Sequence, residues 1–108
     1  MRIEKVTEEA IIFDNGNKIT YDHDADCCEW NYADFSILTP DTVNYDYDFD
    51  EDLQFKSIEG MGFNFGSNGH WIFIPCYSEQ NGYYADDIDI YYLHNEHVLN
   101  FNAQFVDC

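Results

Sequence analysis

Two stretches of this 108-residue chain gather side chains capable of chemistry. The first is Asp22-His23-Asp24-Ala25-Asp26-Cys27-Cys28-Glu29-Trp30, which combines imidazole, thiol and carboxylate groups. All three are competent zinc ligands. The spacing opposes a closed site, because there is no C-x-x-C pair and adjacent cysteines on a strand point to opposite faces. Cys76 and Cys108 would have to complete a four-ligand set from far along the chain. A nucleophile–base pair of Cys27 or Cys28 with His23 is opposed by Asp22, Asp24, Asp26 and Glu29, whose charges disfavour a thiolate. The chain has no G-x-S-x-G, no P-loop, no G-x-G-x-x-G and no H-E-x-x-H. The expectation is a protein that is not an enzyme, with reduced thiols, no metal and no cofactor. His70, His94 and His97 sit at or beside predicted turns, where solvation or capping is their expected role.

The second stretch is Asn44-Tyr45-Asp46-Tyr47-Asp48-Phe49-Asp50-Glu51-Asp52. If extended, it sends Tyr45, Tyr47 and Phe49 to one side and Asp46, Asp48 and Asp50 to the other. Alternate side chains on a strand lie about 6.6–6.8 Å apart, a spacing comparable to successive phosphates along a nucleic-acid strand. Such a row can imitate a phosphate rail, and it equally makes an acidic edge strand that discourages sheet-to-sheet aggregation. A calcium loop is rejected: with Asp46, Asp48 and Asp50 at positions 1, 3 and 5, Glu51 replaces the required glycine and Ser57 the bidentate glutamate.

The charge balance frames both stretches. Asp and Glu number 22 against 4 Lys and Arg, a formal charge of −18. Arg2, Lys5 and Lys18 open the chain, and from Ile19 onward Lys56 is the one cation. Asp22 to Asp52 holds eleven acids and no Lys or Arg. So clustered a field opposes folding by self-repulsion and excludes direct contact with nucleic acid or anionic lipid. A composition 45% hydrophobic and 19% aromatic is too rich in core residues for a disordered tail. No apolar run approaches the roughly 18–20 residues of a membrane helix, and the first residues lack a signal-peptide core. A single acidic domain over residues 1–108, in the cytoplasm of a bacterial host cell, is expected, its oligomeric state open.

The elements that must position these residues are strands. Asn15-Gly16 and Asn68-Gly69 are both two-residue hairpin signals. The first predicts Phe13 opposite Lys18 and Ile12 opposite Ile19, with Ala10, Ile12, Ile19 and Tyr21 on one face. The second predicts Ser67 opposite His70, Gly66 opposite Trp71, Phe65 opposite Ile72 and Phe63 opposite Ile74. Gly66 leaves room for the Trp71 indole to lie across the backbone. Ile88, Ile90 and Tyr92 alternate with Asp87, Asp89 and Tyr91, then Leu99, Phe101, Ala103 and Phe105 with Asn100, Asn102 and Gln104. Residues 33–38 fit a strand or a short helical turn. The fold class is all-β, or mainly β with one short helix: an antiparallel, hairpin-rich sheet curled into a small sandwich or open barrel.

The stretch His23-Asp24-x-Asp26-Cys27-Cys28-Glu29, followed by Gly82-Tyr83-Tyr84-Ala85-Asp86-Asp87-Ile88, resembles a family of small uncharacterised proteins of phages and their bacterial hosts. The resemblance spans roughly residues 8 to 106 and departs in the acidic stretch from Thr39 to Asp52. It implies a compact β-rich domain, a phage or mobile-element setting and no assigned activity.

These readings converge on a non-enzymatic acidic inhibitor or binding protein, phage-encoded, that engages a basic nucleic-acid-binding protein, such as a CRISPR or other defence nuclease, by nucleic-acid mimicry. The expected partner surface is Asp46, Asp48, Asp50, Glu51 and Asp52, extended by Asp86, Asp87 and Asp89. Tyr45 and Tyr47 serve there as core anchors or interface hot spots. The alternatives are an immunity-type protein neutralising a basic toxin, and an accessory phage protein whose acidity only solubilises it.

Overall fold

The two Asn-Gly pairs turn the chain in different ways. The computed structural model describes residues 1–22, 28–93 and 95–107. Strand β6 (Gly62–Ser67) meets β7 (His70–Gln80) across Asn68-Gly69. Both turn residues take positive φ, +52° and +80°, the type I′ geometry that matches strand twist. The predicted register is the observed one: Ser67 faces His70, Gly66 faces Trp71, Phe65 faces Ile72 and Phe63 faces Ile74. A Cβ on Gly66 would lie 1.9 Å from the His70 carbonyl oxygen, so the close approach of the two strands requires glycine there.

Strand β2 (Ala10–Phe13) and β3 (Lys18–Asp22) are joined differently. Here Ile11 faces Ile19 and Ile12 faces Lys18, one residue away from the register expected from a two-residue turn. The Phe13 amide donates to the Asn17 carbonyl at 2.8 Å, the Gly16 amide donates to the Phe13 carbonyl, and Gly16 alone has positive φ. The loop is therefore the three residues Asp14–Gly16, with glycine in the left-handed position. A one-residue shift exchanges the faces of β2. Ile11 and Phe13, not Ile12, join Ile19 in the core, so the larger phenyl group is the one buried.

Two sheets result. One has the order β1-β2-β3-β8-β9, adding β1 (Ile3–Val6), β8 (Asp87–Tyr92) and β9 (Glu96–Asn102), all antiparallel. The other has the order β10-β7-β6-β5, with β5 (Gln54–Ile58) at one edge and β10 (Gln104–Asp107) parallel to β7 at the other. Strand β4 (Trp30–Ala33) pairs with the second half of β7. The chain is mainly β, an open two-sheet sandwich with one 3₁₀ turn at Phe35–Ile37. Ile11, Phe13, Ile19, Ile88 and Ile90 from the first sheet pack on Phe63, Phe65 and Ile74 from the second, all fully buried.

The C-terminal alternation does not run as one strand. Strand β9 ends at Asn102 in the first sheet, and β10 begins at Gln104 in the second. Ala103, 1% exposed, makes the crossing, its amide donating to the Asp86 carbonyl at 2.7 Å. A corner pressed between two sheets admits only a small side chain. Beyond it Phe105 pairs with buried Ser78 on the inner side of the second sheet, yet at that edge strand its ring is half exposed.

Candidate functional site

Residues 44–52 contribute to no strand, contrary to the extended row expected of them. Short-range side-chain bonds shape the segment instead. The Asn44 side chain accepts from the Asp46 amide at 2.9 Å, and the Asp50 carboxylate accepts from the Asp52 amide at 3.0 Å. Asn and Asp bend backbone in this way because they bond their own chain two residues on. The alternation of faces nevertheless survives. Asp46, Asp48 and Asp50 are exposed, Tyr45 and Tyr47 are half-buried, and Phe49 is 2% exposed.

The inward side chains fasten the segment as a strap across one end of the sandwich. The Tyr45 hydroxyl donates to the Leu38 carbonyl at 2.6 Å, and the Tyr47 hydroxyl to the Ser67 carbonyl at 3.2 Å. The Tyr47 ring stacks on His70 with centroids 3.9 Å apart. Phe49 packs edge-on to Phe13 at 5.9 Å and against Phe65 at 5.7 Å, so one ring touches both sheets. The Asp50 amide donates to Ser67 Oγ, and the Tyr92 hydroxyl to the Glu51 carbonyl at 2.7 Å. Tyr45 and Tyr47 are thus engaged as anchors, while Asp46, Asp48, Asp50, Glu51 and Asp52 face solvent.

Asp48 differs from its neighbours. Met1 and Phe49 exchange two backbone hydrogen bonds of 2.7 Å, which brings the Met1 ammonium within 2.6 Å of Asp48 Oδ1. The hydrogen bond from that ammonium, and then its charge, hold the Asp48 carboxyl below the usual carboxylate range.

Asp86, Asp87 and Asp89 form a second acidic group. Asp87 stands at the opposite end of β8 from Tyr92, about 17 Å away along the strand, so strap and trio are separate surfaces. Asp87 and Asp89 project from the outer face of the first sheet, with Asp22 directly opposite Asp89. Like charges so placed repel, and donors on β9 compensate. Asn100 Nδ2 lies 2.9 Å from Asp89 Oδ1 and 3.3 Å from Asp87 Oδ2, and His97 Nε2 lies 2.9 Å from Asp89 Oδ1. His97 therefore lies against a carboxylate, a role its place beside a turn did not suggest.

The segment 84–87 is set by a buried polar network. Ser78 Oγ donates to Asn31 Oδ1 at 2.5 Å, and Gln80 Nε2 donates to Ser78 Oγ at 2.7 Å. Gln80 Oε1 accepts from the Tyr84 amide, while Asn31 Nδ2 donates to the Ala85 and Asp87 carbonyls. The three side chains are at most 3% exposed. Much of the Gly82–Ile88 motif is thus held from below by polar groups on β4 and β7.

Two open cavities that sequence reading missed lie where the β1–β2 turn approaches β3 and β4. One, of about 540 Å³, is lined by Glu9, Thr20, Tyr21, Asp22, Tyr91 and Asn95. The other, of about 270 Å³, brings Glu8, Glu9 and Asp34 beside Tyr21, Trp30 and Tyr32. Burial, then the charges of Glu9 and Glu8, push the Tyr21 phenol up. Carboxylates beside aromatic rings suit an organic cation. Four separate segments supply this lining, so no local motif announces it.

His23, Asp24, Asp26 and Cys27 lie outside the described residues, as does Cys108. Cys28 is exposed, whereas burial pushes the thiol of Cys76 up and opposes its ionisation. Among the described residues no three His, Cys, Asp or Glu side chains gather as a metal site, and no helix is long and apolar enough to cross a membrane.

Fold and site together define an acidic two-sheet β domain that displays carboxylates on an aromatic-anchored strap. The chain belongs to the family described as Domain of unknown function (DUF7448), whose model matches residues 1–90. No curated protein and no solved structure matches it. Strands β9 and β10 lie beyond the matched span.

Proposed function

We propose that this domain is a non-enzymatic acidic binding protein, phage-encoded and acting inside the bacterial host cell, that occupies the cationic surface of a nucleic-acid-binding protein. A defence nuclease such as a CRISPR effector has the required chemistry, since its Lys and Arg side chains await phosphates. The observation that carries the reading is the strap. Its carboxylates are turned outward by a backbone that Tyr45, Tyr47 and Phe49 fix to both sheets, so little ordering entropy is spent on binding. Clustered charge of one sign also speeds encounter with a cationic partner.

Replacing Asp46, Asp50 and Asp52 together with Asn keeps shape and turn-forming acceptors while removing three charges. Host proteins retained on the immobilised domain at low and at high salt identify the partner. Its retention should fall steeply with salt, because exposed charges are screened over about 8–10 Å at physiological ionic strength. The triple variant should lose the partner while keeping the parent's circular dichroism. Equal retention by the variant would reduce the strap to a solubilising edge.

A further inference from the structure

We infer that a groove beside the β1–β2 turn seats an extended, arginine-bearing segment of a protein partner, with the guanidinium held among Trp30, Tyr32, Glu8, Glu9 and Asp34. Three cavities adjoin there. The middle one, of about 270 Å³, shares Glu8 and Ser36 with a cleft of about 410 Å³, and shares Glu9 and Tyr21 with the open hollow of about 540 Å³. The cleft is mostly apolar, walled by Val6, Leu38, Pro40 and Tyr45. The hollow is polar and carries a further carboxylate, Asp22. A ligand lying along the groove meets an apolar seat, then an acidic aromatic one, then another acid. That succession suits a run of side chains better than one small ion. Tyr45 also anchors the strap, so the groove continues from it.

Two turns from distant parts of the chain place the middle carboxylates. Thr7 Oγ accepts from the Glu9 amide at 3.2 Å and from the Ala10 amide at 3.1 Å, which holds Glu8 and Glu9 at the tip of the β1–β2 turn. Asp34 caps the 3₁₀ turn: its Oδ1 accepts from the Ser36 amide at 3.1 Å, and its own amide donates to the Pro75 carbonyl at 2.9 Å. Buried Ala33 and Phe35 make the floor. Trp30, 58% exposed, stands in the wall with Tyr32 stacked on it, centroids 4.3 Å apart. Strand pairing of β4 with β7 fixes both rings before any ligand arrives, so little ordering is left to be done on binding.

Charge complementarity selects the occupant. Among the described residues, ion pairs join Met1 to Asp48 and His97 to Asp89, so Glu8, Glu9 and Asp34 meet no cation of their own chain. Three carboxylates around one small cavity repel each other, and a cation from outside relieves that repulsion. An anion or a neutral ligand does not. The aromatic wall makes the cation an organic one, attracted by the ring faces. Of the two cationic side chains, guanidinium is planar and weakly hydrated, stacks on aromatic rings and forks two N–H bonds onto a carboxylate. An ammonium is a compact, strongly hydrated point charge and uses the rings less. The site draws on none of the strap acids Asp46, Asp50 and Asp52, so it stands or falls apart from them.

Titrating the whole chain with two capped octapeptides, arginine alternating with serine and lysine alternating with serine, tests this by nuclear magnetic resonance. The arginine peptide should shift the Trp30 indole and the Glu9 and Ser36 amides. It should bind about fivefold or more tighter than the lysine peptide of equal charge. Trp30→Leu, and independently Glu8→Gln with Glu9→Gln, should erase that preference while retaining the parent's circular dichroism. Replacing the strap acids Asp46, Asp50 and Asp52 with Asn should weaken both peptides alike and leave the preference intact, so this reading and that of the strap fail separately. Equal binding of the two peptides overturns the inference, as do shifts confined to the strap. So does a preference that survives both groove variants. Spermidine shifting the same amides at lower concentration than the arginine peptide also overturns it, and assigns the groove to a free polyamine.

Discussion

The two sheets turn opposite surfaces to solvent. The first presents Asp22, Asp87 and Asp89 with Lys5 and Lys18 among Thr20, Asn100 and Asn102; the second presents Trp30, Tyr32, Trp71, Phe73 and Tyr77 with Glu79 and Lys56, and Glu8, Glu9 and Asp34 border its β4 edge. Solubility alone asks only for net charge and would be served by acids spread over both. Both tryptophans stand on the second sheet. Their construction differs too, since the acidic face rests on exchangeable side chains and the aromatic face on tight backbone geometry.

Substitutions that strike one face at a time sharpen this contrast. The largest effect is expected from Gly66→Val, because the added Cβ would collide with the His70 carbonyl oxygen at 1.9 Å. Chemical denaturation should show a loss above about 3 kcal/mol, the range of overpacked and strained sites. Asp87→Asn on the acidic face should stay within about 0.5 kcal/mol. A mild Gly66→Val would mean the strands can part without cost, and the contrast in construction would dissolve.

An intermediate effect is expected from Gln80→Leu. It removes the acceptor of the Tyr84 amide and the donor to the Ser78 hydroxyl oxygen, at about 1–3 kcal/mol for hydrogen bonds lost at buried groups. The loss should be local: hydrogen exchange should quicken at residues 84–87, where the acidic strand begins, and stay slow across the β6–β7 hairpin. Uniform acceleration would show that the faces do not respond separately.

The smallest belongs to Asp48→Asn. The folded carboxyl of Asp48 lies below its unfolded value, so its contribution is present above about pH 4. It is lost as pH falls through the folded value. Melting temperatures of parent and variant should differ slightly at neutral pH and converge in acid. A difference that persists in acid would assign the effect to packing rather than to the Met1 ammonium.

Local chemistry made some of this legible in the sequence. Asn68-Gly69 specifies its hairpin because positive φ at two adjacent positions is an intrinsic preference, satisfied there without outside help. The alternation from Tyr45 to Asp50 fixes which side chains turn inward, because aromatic burial outweighs the lack of a strand partner. The net charge and its clustering are properties of composition. Tertiary structure alone decided the rest. Asn15-Gly16 carries the same dipeptide, yet burial of Phe13 and Ile11 imposed a three-residue loop, since a one-residue shift decides which face meets the opposite sheet. The crossing at Ala103, the cavity shared by Glu9, Tyr21 and Trp30, and the aromatic face of the second sheet all depend on which strands become neighbours. Strand order is set by the summed burial of residues distant in the chain, and no short stretch of sequence contains that sum.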